Sequence, residues 1–158
     1  MNGISETAFG PDRTTTRAMA VTMLYRLEGE PDAAASGFAD VPADAYYADA
    51  VAWAQANDIV NGVSETAFAP DDPVTREQMA AVLYRYAQFK GYDVTASNDL
   101  SSYTDASRIS SYAITAMGWA NAAGLITGNT GTTLNPRGNA TRAEVATILM
   151  RFCEDIVR

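Results

Sequence analysis

Histidine is absent from the 158-residue chain, and cysteine occurs once, at Cys153. The lack of histidine removes the commonest general base and the commonest transition-metal ligand. A single cysteine can form neither an internal disulfide nor a thiolate zinc site. We therefore predict no catalytic residues, no metal site and no cofactor. Because Cys153 follows the apolar residues of a helical pattern, we expect it to be a small buried side chain.

Basic residues are also scarce, with eleven against nineteen acids, which gives a net charge of −8. This balance argues against binding nucleic acid through a broad basic surface. No apolar run approaches the length of a bilayer-spanning helix, so we predict no membrane insertion. The first ten residues lack the basic start and apolar stretch of a signal peptide. They begin inside a repeat, and we expect Met1 to mark either an artificial start or a cut in a longer sequence.

The chain contains three copies of one segment, which begin at Gly3, Gly62 and Gly128. The same offsets superimpose three prolines and three Thr-Arg pairs: Pro11, Pro70 and Pro136, and Thr16-Arg17, Thr75-Arg76 and Thr141-Arg142. A period near sixty residues is typical of a repeated supersecondary unit that shares a core with its neighbours.

Each Thr-Arg pair precedes apolar residues at positions i, i+3, i+4 and i+7, which predicts an amphipathic helix. The three stripes are Ala20, Met23, Leu24 and Leu27; Met79, Val82, Leu83 and Tyr86; and Val145, Ile148, Leu149 and Phe152. The threonines are expected N-caps, and Gln78 and Glu144 complete capping boxes in two copies. We predict that the three helices form one central bundle.

The second and third copies also contain a first half, which the first copy lacks. Its alanine-rich part, AVAWAQA or AMGWANAA, predicts a further helix that ends at Asn57-Asp58 or Ala123-Gly124. A loop rich in glycine and proline joins the two helices of each copy, and its extended residues are candidates for a short strand pair. Phe68 and Leu134 are expected to anchor these loops on the core.

The second copy reads FADV, YYADAVAWAQANDIVNG and FAPDDPVTREQMAAVLYR, and it resembles the S-layer homology domain of bacterial surface proteins. The third copy is similar, with YTDASRISSYAITAMGWANAAGLITG followed by LNPRGNATRAEVATILMR. The resemblance implies a partial repeat over residues 1–29 and complete repeats over 37–91 and 102–157, together forming one domain. The implied fold is all-α, a pseudo-threefold spindle with a central three-helix bundle and peripheral helix-loop prongs.

The resemblance also implies a function, which is to anchor a protein on the bacterial cell wall, outside the cell. The implied partner is a secondary cell-wall polysaccharide with anionic groups such as pyruvyl ketals. The family's arginine site carries over to Arg17, Arg76 and Arg142. The first-half residues that the resemblance implies along the same grooves are Tyr46, Tyr112, Trp53, Trp119, Gly62 and Gly128. An interaction or oligomerisation module on the same scaffold is the alternative function, followed by a polysaccharide-acting enzyme.

Physical chemistry supports the arginine assignment only in part. A cation just after an N-cap faces the positive end of the helix dipole, which costs a few tenths of a kcal/mol unless an anion is near. Free backbone N–H groups and a guanidinium together can hold a carboxylate. Alternatively, the arginines pair with Asp40, Asp105 or other acids and hold a prong to the bundle.

Other candidates also have two explanations. Trp53 and Trp119 can stack on sugars or pack in the interior, and Tyr46 and Tyr112 divide in the same way. A second arginine set, Arg26, Arg85 and Arg151, lies nine residues after the first and therefore on the opposite side of each helix. We assign this second set to helix C-termini, where positive charge is favourable.

The absence of a first helix in the first copy predicts an exposed face on the bundle. We expect either an upstream helix or a homodimer to cover that face.

Overall fold

A computed structural model describes residues 8–128 and 131–157. The first seven residues of the 1–29 repeat, which include Gly3, lie outside the described residues. The described residues form five α-helices: α1 (Arg17–Leu27), α2 (Ala48–Ala56), α3 (Arg76–Lys90), α4 (Ile114–Ala122) and α5 (Arg142–Asp155). Two short 3-10 helices, Ala106–Arg108 and Ser111–Ala113, precede α4.

The all-α prediction is confirmed, because extended pairing in the described residues is limited to isolated bridges. Three antiparallel bridges occur at repeat-equivalent places: Thr14 with Thr141, Thr16 with Pro73, and Thr75 with Asn139. Each joins the N-cap threonine of one copy to the loop of another. The expected strand pairs are therefore reduced to single bridges between copies.

The chain divides into two compact units. One is residues 15–74, and the other is the described part of residues 1–14 together with 75–158. The assembly of the three repeats into one domain, with a central bundle of α1, α3 and α5, stays a prediction.

In the unit of residues 15–74, α1 packs along α2. The ring centroids of Tyr25 on α1 and Trp53 on α2 lie 5.8 Å apart. Leu24 of α1 and Val51 of α2 are both buried. The Thr16 side chain accepts from the backbone N–H of Met19. Met19 cannot return a hydrogen bond as glutamate or glutamine would, so this N-cap lacks the second half of a capping box.

In the other unit, α4 packs along α3, and Tyr84 meets Trp119 with ring centroids 5.6 Å apart. Tyr86 of α3 reaches Phe152 of α5, at a centroid distance of 5.8 Å. Thr75 and Thr141 form complete capping boxes, as predicted. These reciprocal hydrogen bonds fix the starts of α3 and α5, which bear two of the predicted site arginines.

The ends of α2 and α4 are also where the sequence places them. Asp58, with φ of 57°, and Gly124, with φ of 76°, adopt the left-handed conformation just beyond each helix. The expectation for Cys153 is wrong, because this residue is exposed. Val145, Ile148 and Phe152 define the buried side of α5, and position 153 lies about 100° further round the helix from Phe152.

Candidate functional site

The first turn of each Thr-Arg helix is covered by the loop of another copy. In α1, the backbone N–H of Arg17 donates to Asp72 O at 2.9 Å, and that of Ala18 donates to Pro70 O at 3.0 Å. The same pair of bonds recurs at the other two helices: Arg76 to Gly138 and Glu77 to Pro136, and Arg142 to Arg13 and Ala143 to Pro11. The recurring prolines therefore supply carbonyl oxygens that cap the helices.

This capping corrects one step of the sequence argument, which assumed free N–H groups for a ligand carboxylate. The first two N–H groups of every Thr-Arg helix bind a loop carbonyl, and the third binds the N-cap threonine hydroxyl. An anion cannot be held there without displacing protein hydrogen bonds. The positive end of the helix dipole is satisfied by the chain itself.

The arginine side chains bind the same loops. Arg17 Nε donates to Phe68 O at 2.9 Å, Arg76 Nε donates to Leu134 O at 2.9 Å, and Arg142 Nε donates to Phe9 O at 3.0 Å. In two copies the guanidinium also lies over a loop phenyl ring, with the carbon of each guanidinium 4.8 Å from the ring centroid of Phe68 or Phe9. The arginines thus fasten a loop to a helix start.

Burial differs among the three arginines. Arg76 and Arg142 are 6% and 7% exposed, whereas Arg17 is half-buried and its Nη2 also donates to Asn61 O at 3.1 Å. This geometry favours the alternative in which the arginines have a structural role. The Nε of each arginine donates to a backbone carbonyl, and Arg76 also pairs with the carboxylate of Glu144.

Two aspartates hold the other side of the same loops. Asp40 accepts from the N–H groups of Phe68 and Ala69, both at 2.8 Å. Asp105 accepts from Leu134 at 2.9 Å and from Asn135 at 2.8 Å. In each of these two loops one residue, Phe68 or Leu134, is therefore bound from both sides. An aspartate accepts from its N–H, and an arginine donates to its C=O.

The pKa values of both aspartates reflect these bonds. Burial by itself raises the pKa of the Asp40 and Asp105 carboxyls. The backbone N–H donors, together with Arg17 beside Asp40 and Arg108 beside Asp105, outweigh burial and hold each pKa below its usual value.

A cleft of about 310 Å³ opens between the segment after α4, the start of α3 and one face of α5. Residues Leu125 to Gly128 form one wall, and Arg76 stands at the start of α3. The α5 wall carries Glu144, Thr147, Ile148 and Arg151, which follow the i, i+3, i+4, i+7 spacing of one helix face.

The charges in this cleft favour an anion. Arg76 Nη1 lies 3.3 Å from Glu144 Oε2, so this arginine is already paired with a carboxylate. Within the part of the chain that the structure describes, the Arg151 guanidinium has neither a hydrogen bond nor an ion pair. Two cations against one anion leave the cleft positive in a chain whose net charge is −8.

Arg151 was assigned from the sequence to a helix C-terminus, and its place in the cleft was missed. Arg142 and Arg151 do lie on different sides of α5, as the nine-residue spacing predicts. The cleft nevertheless combines an arginine from the start of α3 with one from the last turns of α5. The sequence does contain a pattern that indicates this site, which is the polar stripe of Glu144, Thr147 and Arg151 along one face of α5.

The two predicted site glycines differ in what requires them. Gly128 borders the cleft and has φ of 112°, a conformation that side chains disfavour. At Gly62, a Cβ atom would collide with Ser64 O, and it would lie 2.5 Å from Ala67 O and 2.6 Å from Phe38 Cε1. Gly62 therefore permits the close packing of its own loop.

The aromatic candidates also separate. Trp53 and Trp119 are 4% and 1% exposed, which favours interior packing over stacking on a sugar. Tyr46 and Tyr112 are 63% and 51% exposed, so both residues lie largely at the surface. Neither tyrosine lines the cleft described above.

Comparison with known proteins identifies the family to which the sequence belongs. The sequence model of the S-layer homology domain matches residues 37–80 and 102–146. The chain belongs to the S-layer homology family. Its complete repeats account for both matches, and the tandem arrangement agrees with the repeats found from the sequence.

Several relatives contain a similar segment. The chain is 36% identical over 154 residues to a surface-layer 125 kDa protein of Lysinibacillus sphaericus, covering 94% of this chain and 12% of the relative. It is 33% identical over 159 residues to an amylopullulanase of Thermoanaerobacterium thermosulfurigenes, covering 98% and 8%. It is also 33% identical over 150 residues to an endoglucanase of Bacillus sp. (strain KSM-635), covering 94% and 16%. The chain thus spans a small part of each of these relatives.

Domains of the S-layer homology family are non-catalytic modules that bind cell-wall polymers and anchor proteins at the bacterial cell surface. The expected extracellular, wall-associated localisation is confirmed by this membership. Among the described helices, none combines the length and the apolar character needed to cross a membrane.

Proposed function

We propose that this module binds an anionic secondary cell-wall polysaccharide, noncovalently, in the cleft between α3, α5 and residues 125–128. The observation that carries the proposal is the positive charge at Arg76 and Arg151, which border an open cavity with hydroxyl and backbone groups beside them. A pyruvyl ketal presents a carboxylate on a sugar ring, and a guanidinium can bind such a carboxylate through two parallel hydrogen bonds.

The two cleft arginines have different parts in this proposal. Arg76 is held by Leu134 O and by Glu144, so its position is fixed before a ligand arrives. Arg151 is half-buried and is the more adaptable cation. We assign the main ligand contact to Arg151, with Arg76 contributing a fixed positive field and Thr147 offering a hydroxyl to the sugar.

We also propose that further predicted residues contact the polysaccharide, because they occupy positions that recur among the repeats. Arg17 and Arg142 occupy the positions equivalent to Arg76, and the exposed rings of Tyr46 and Tyr112 offer flat surfaces for a sugar. Because the chain spans only 8% to 16% of the relatives compared above, we further propose that it anchors a larger secreted protein. The names of those relatives make an S-layer protein or a polysaccharide-degrading enzyme a reasonable passenger.

Binding to purified cell-wall sacculi tests the proposal. The Arg151→Gln variant should bind at least about tenfold more weakly, because a charge-assisted hydrogen bond contributes about 1.5–3 kcal/mol. Arg137→Gln is the matched control, since Arg137 is exposed, lies outside the cleft and carries the same charge. Both variants should unfold at the parent's denaturant concentration.

Removing the secondary polymer from the sacculi with hydrofluoric acid should abolish binding of the parent protein. Retention after that treatment, or equal binding of the two variants, would contradict the proposed site. Sacculi whose pyruvyl groups have been removed separately, with the polymer left in place, test the anionic substituent. Unchanged binding to those sacculi would exclude the ketal as the recognised group.

A further inference from the structure

The cleft wall that Leu125 to Gly128 form is bound to the end of α4. The backbone N–H groups of Leu125 and Ile126 both donate to Ala120 O, at 2.8 and 3.3 Å. The side chain of Asn121, the next residue of α4, donates from Nδ2 to Ile126 O at 2.9 Å. The wall is therefore held through two N–H groups and one carbonyl oxygen.

Three hydrogen bonds fix the orientation of the Asn121 amide. Its Nδ2 donates to Ile126 O and, at 3.1 Å, to the Tyr103 hydroxyl oxygen, and its Oδ1 accepts from Asn98 Nδ2 at 2.9 Å. A backbone carbonyl can only accept, so the nitrogen of Asn121 has to face Ile126. The Tyr103 hydroxyl lies 3.4 Å from Thr127 O, the next carbonyl of the wall. Asn121 and Tyr103 thus hold two successive carbonyls of the wall.

Asn98 belongs to the segment between the second and third copies, residues 92–101, and this segment lies against α4. The backbone N–H of Asn98 donates to Gly118 O at 3.1 Å. The lack of a side chain at Gly118 permits the approach, because a Cβ atom there would lie 2.7 Å from Ser97 Oγ. The connecting segment is therefore linked to the cleft wall through Asn121.

The second copy has different residues at these places. The equivalent of Tyr103 is Phe38, which has no hydroxyl, and the equivalent of Asn121 is Gln55. Gln55 Oε1 accepts from the backbone N–H of Gly37 at 3.1 Å. The hydroxyl-amide network is thus particular to the copy whose cleft wall it holds, and a repeat can fold without it.

We propose that Asn121, oriented by Asn98 and Tyr103, is a positioning residue that keeps the cleft wall ordered for the polysaccharide. This inference rests on the proposed function, because the cleft is the binding site named there. None of the three side chains lines the cleft, so they act through the wall and not through ligand contact. A wall that is ordered beforehand does not have to be ordered by the ligand, which favours binding.

Binding of two variants to purified sacculi tests the proposal. Asn121→Leu keeps nearly the same volume but removes the amide, and it should bind about threefold to tenfold more weakly than the parent. Tyr103→Phe introduces the residue found in the second copy and should bind at least about twofold more weakly. Because neither variant changes the charge of the cleft, the dependence of binding on salt should remain that of the parent. Arg151→Gln, in contrast, should reduce that dependence.

Asn57→Leu is the matched control. Asn57 Nδ2 donates to Trp53 O at 2.8 Å at the end of α2, the equivalent helix of the second copy, and Asn57 lies outside the cleft. The control therefore also removes an amide-to-carbonyl hydrogen bond at a helix end. It should lower the midpoint of urea unfolding, as Asn121→Leu does, and leave sacculus binding unchanged at a temperature where all variants are folded.

Parent-like binding of Asn121→Leu would overturn the proposal. An equal loss of binding in Asn57→Leu would also overturn it, because the effect would then follow from stability alone. A changed salt dependence would contradict a purely geometric role. If Asn121→Leu is unfolded in the assay, Tyr103→Phe decides the question in the same way.

Failure of this proposal differs from failure of the proposed function. In the first case Arg151→Gln still weakens binding while Asn121→Leu and Tyr103→Phe bind as the parent does. In the second case the parent and Arg151→Gln bind equally.

Discussion

Replacing Thr15 by valine should stabilise the protein. Thr15 is completely buried, and within the described residues its hydroxyl oxygen is the buried side-chain polar atom that lacks a hydrogen-bond partner. The equivalent residues of the other copies are Val74 and Ala140, both buried and apolar. Valine has nearly the shape of threonine, so Thr15→Val removes the unsatisfied hydroxyl without opening a cavity.

The magnitude follows from the cost of burying an unpaired hydroxyl, about 1–3 kcal/mol. We expect Thr15→Val to raise the free energy of unfolding by about 1–2 kcal/mol, since local adjustment reduces the full penalty. For a chain of this size, each kcal/mol shifts Tm by about 2–4 °C. The expected increase in Tm is therefore about 2–8 °C.

Urea unfolding followed by circular dichroism measures the effect, with an increase in the midpoint at an unchanged slope. Val74→Thr is the reciprocal control and should lower stability by a similar amount, because it introduces the same hydroxyl at an equivalent buried position. The reasoning would be refuted if Thr15→Val were neutral or destabilising while Val74→Thr was destabilising. The Thr15 hydroxyl would then have a partner of its own.

Three further perturbations test the loop attachments. Because the pKa of Asp105 is lowered in the folded state, its stabilising contribution is present above its unfolded pKa of about 3.9 and is lost as pH falls through the folded value. Asp105→Asn should therefore lower the free energy of unfolding at pH 7 and weaken its dependence on acid pH. An unchanged acid profile would contradict this. Gly62→Ala should cost about 1–3 kcal/mol because its Cβ would meet backbone oxygens, whereas Gly131→Ala, which has open space, should be neutral. Glu77 is 3% exposed and accepts hydrogen bonds from Ser110 N at 2.9 Å and from Ser110 Oγ at 2.6 Å. Glu77→Ala should therefore lower the free energy of unfolding by about 2–3 kcal/mol. A double-mutant cycle with Ser110→Ala that shows no coupling would rule out these hydrogen bonds as the cause.

The helices and their caps could be predicted because their signals are local. The apolar stripe of α3, from Met79 to Tyr86, needs only 3.6-residue periodicity, and the capping box of Thr75 and Gln78 needs only three positions. The stripe of α1 was less complete, since Leu27 at its end is 45% exposed. A helix terminus has fewer neighbours to cover it.

Contacts between copies were harder to predict. The Arg76 side chain binds the carbonyl of Leu134, 58 residues away, and a carbonyl acceptor carries no side-chain signal in the sequence. The bond between Glu77 and Ser110 was missed for a related reason, because the equivalents of Glu77 are Ala18 and Ala143. A feature present in one copy cannot be found by comparing the copies.

The double attachment of the arginines decides how the binding site has to be tested. Removing Arg76 would release the loop at Leu134 and the ion pair with Glu144 together, so lost wall binding would not separate ligand contact from loop support. Arg76→Lys keeps the charge but cannot reproduce the Nε bond and the Nη1 pair at once. Arg151 has neither attachment, and its substitution changes the charge of the cleft while leaving the loop in place. If anion binding depends on that charge, Arg151 will control affinity at constant stability, whereas Arg76 will change both.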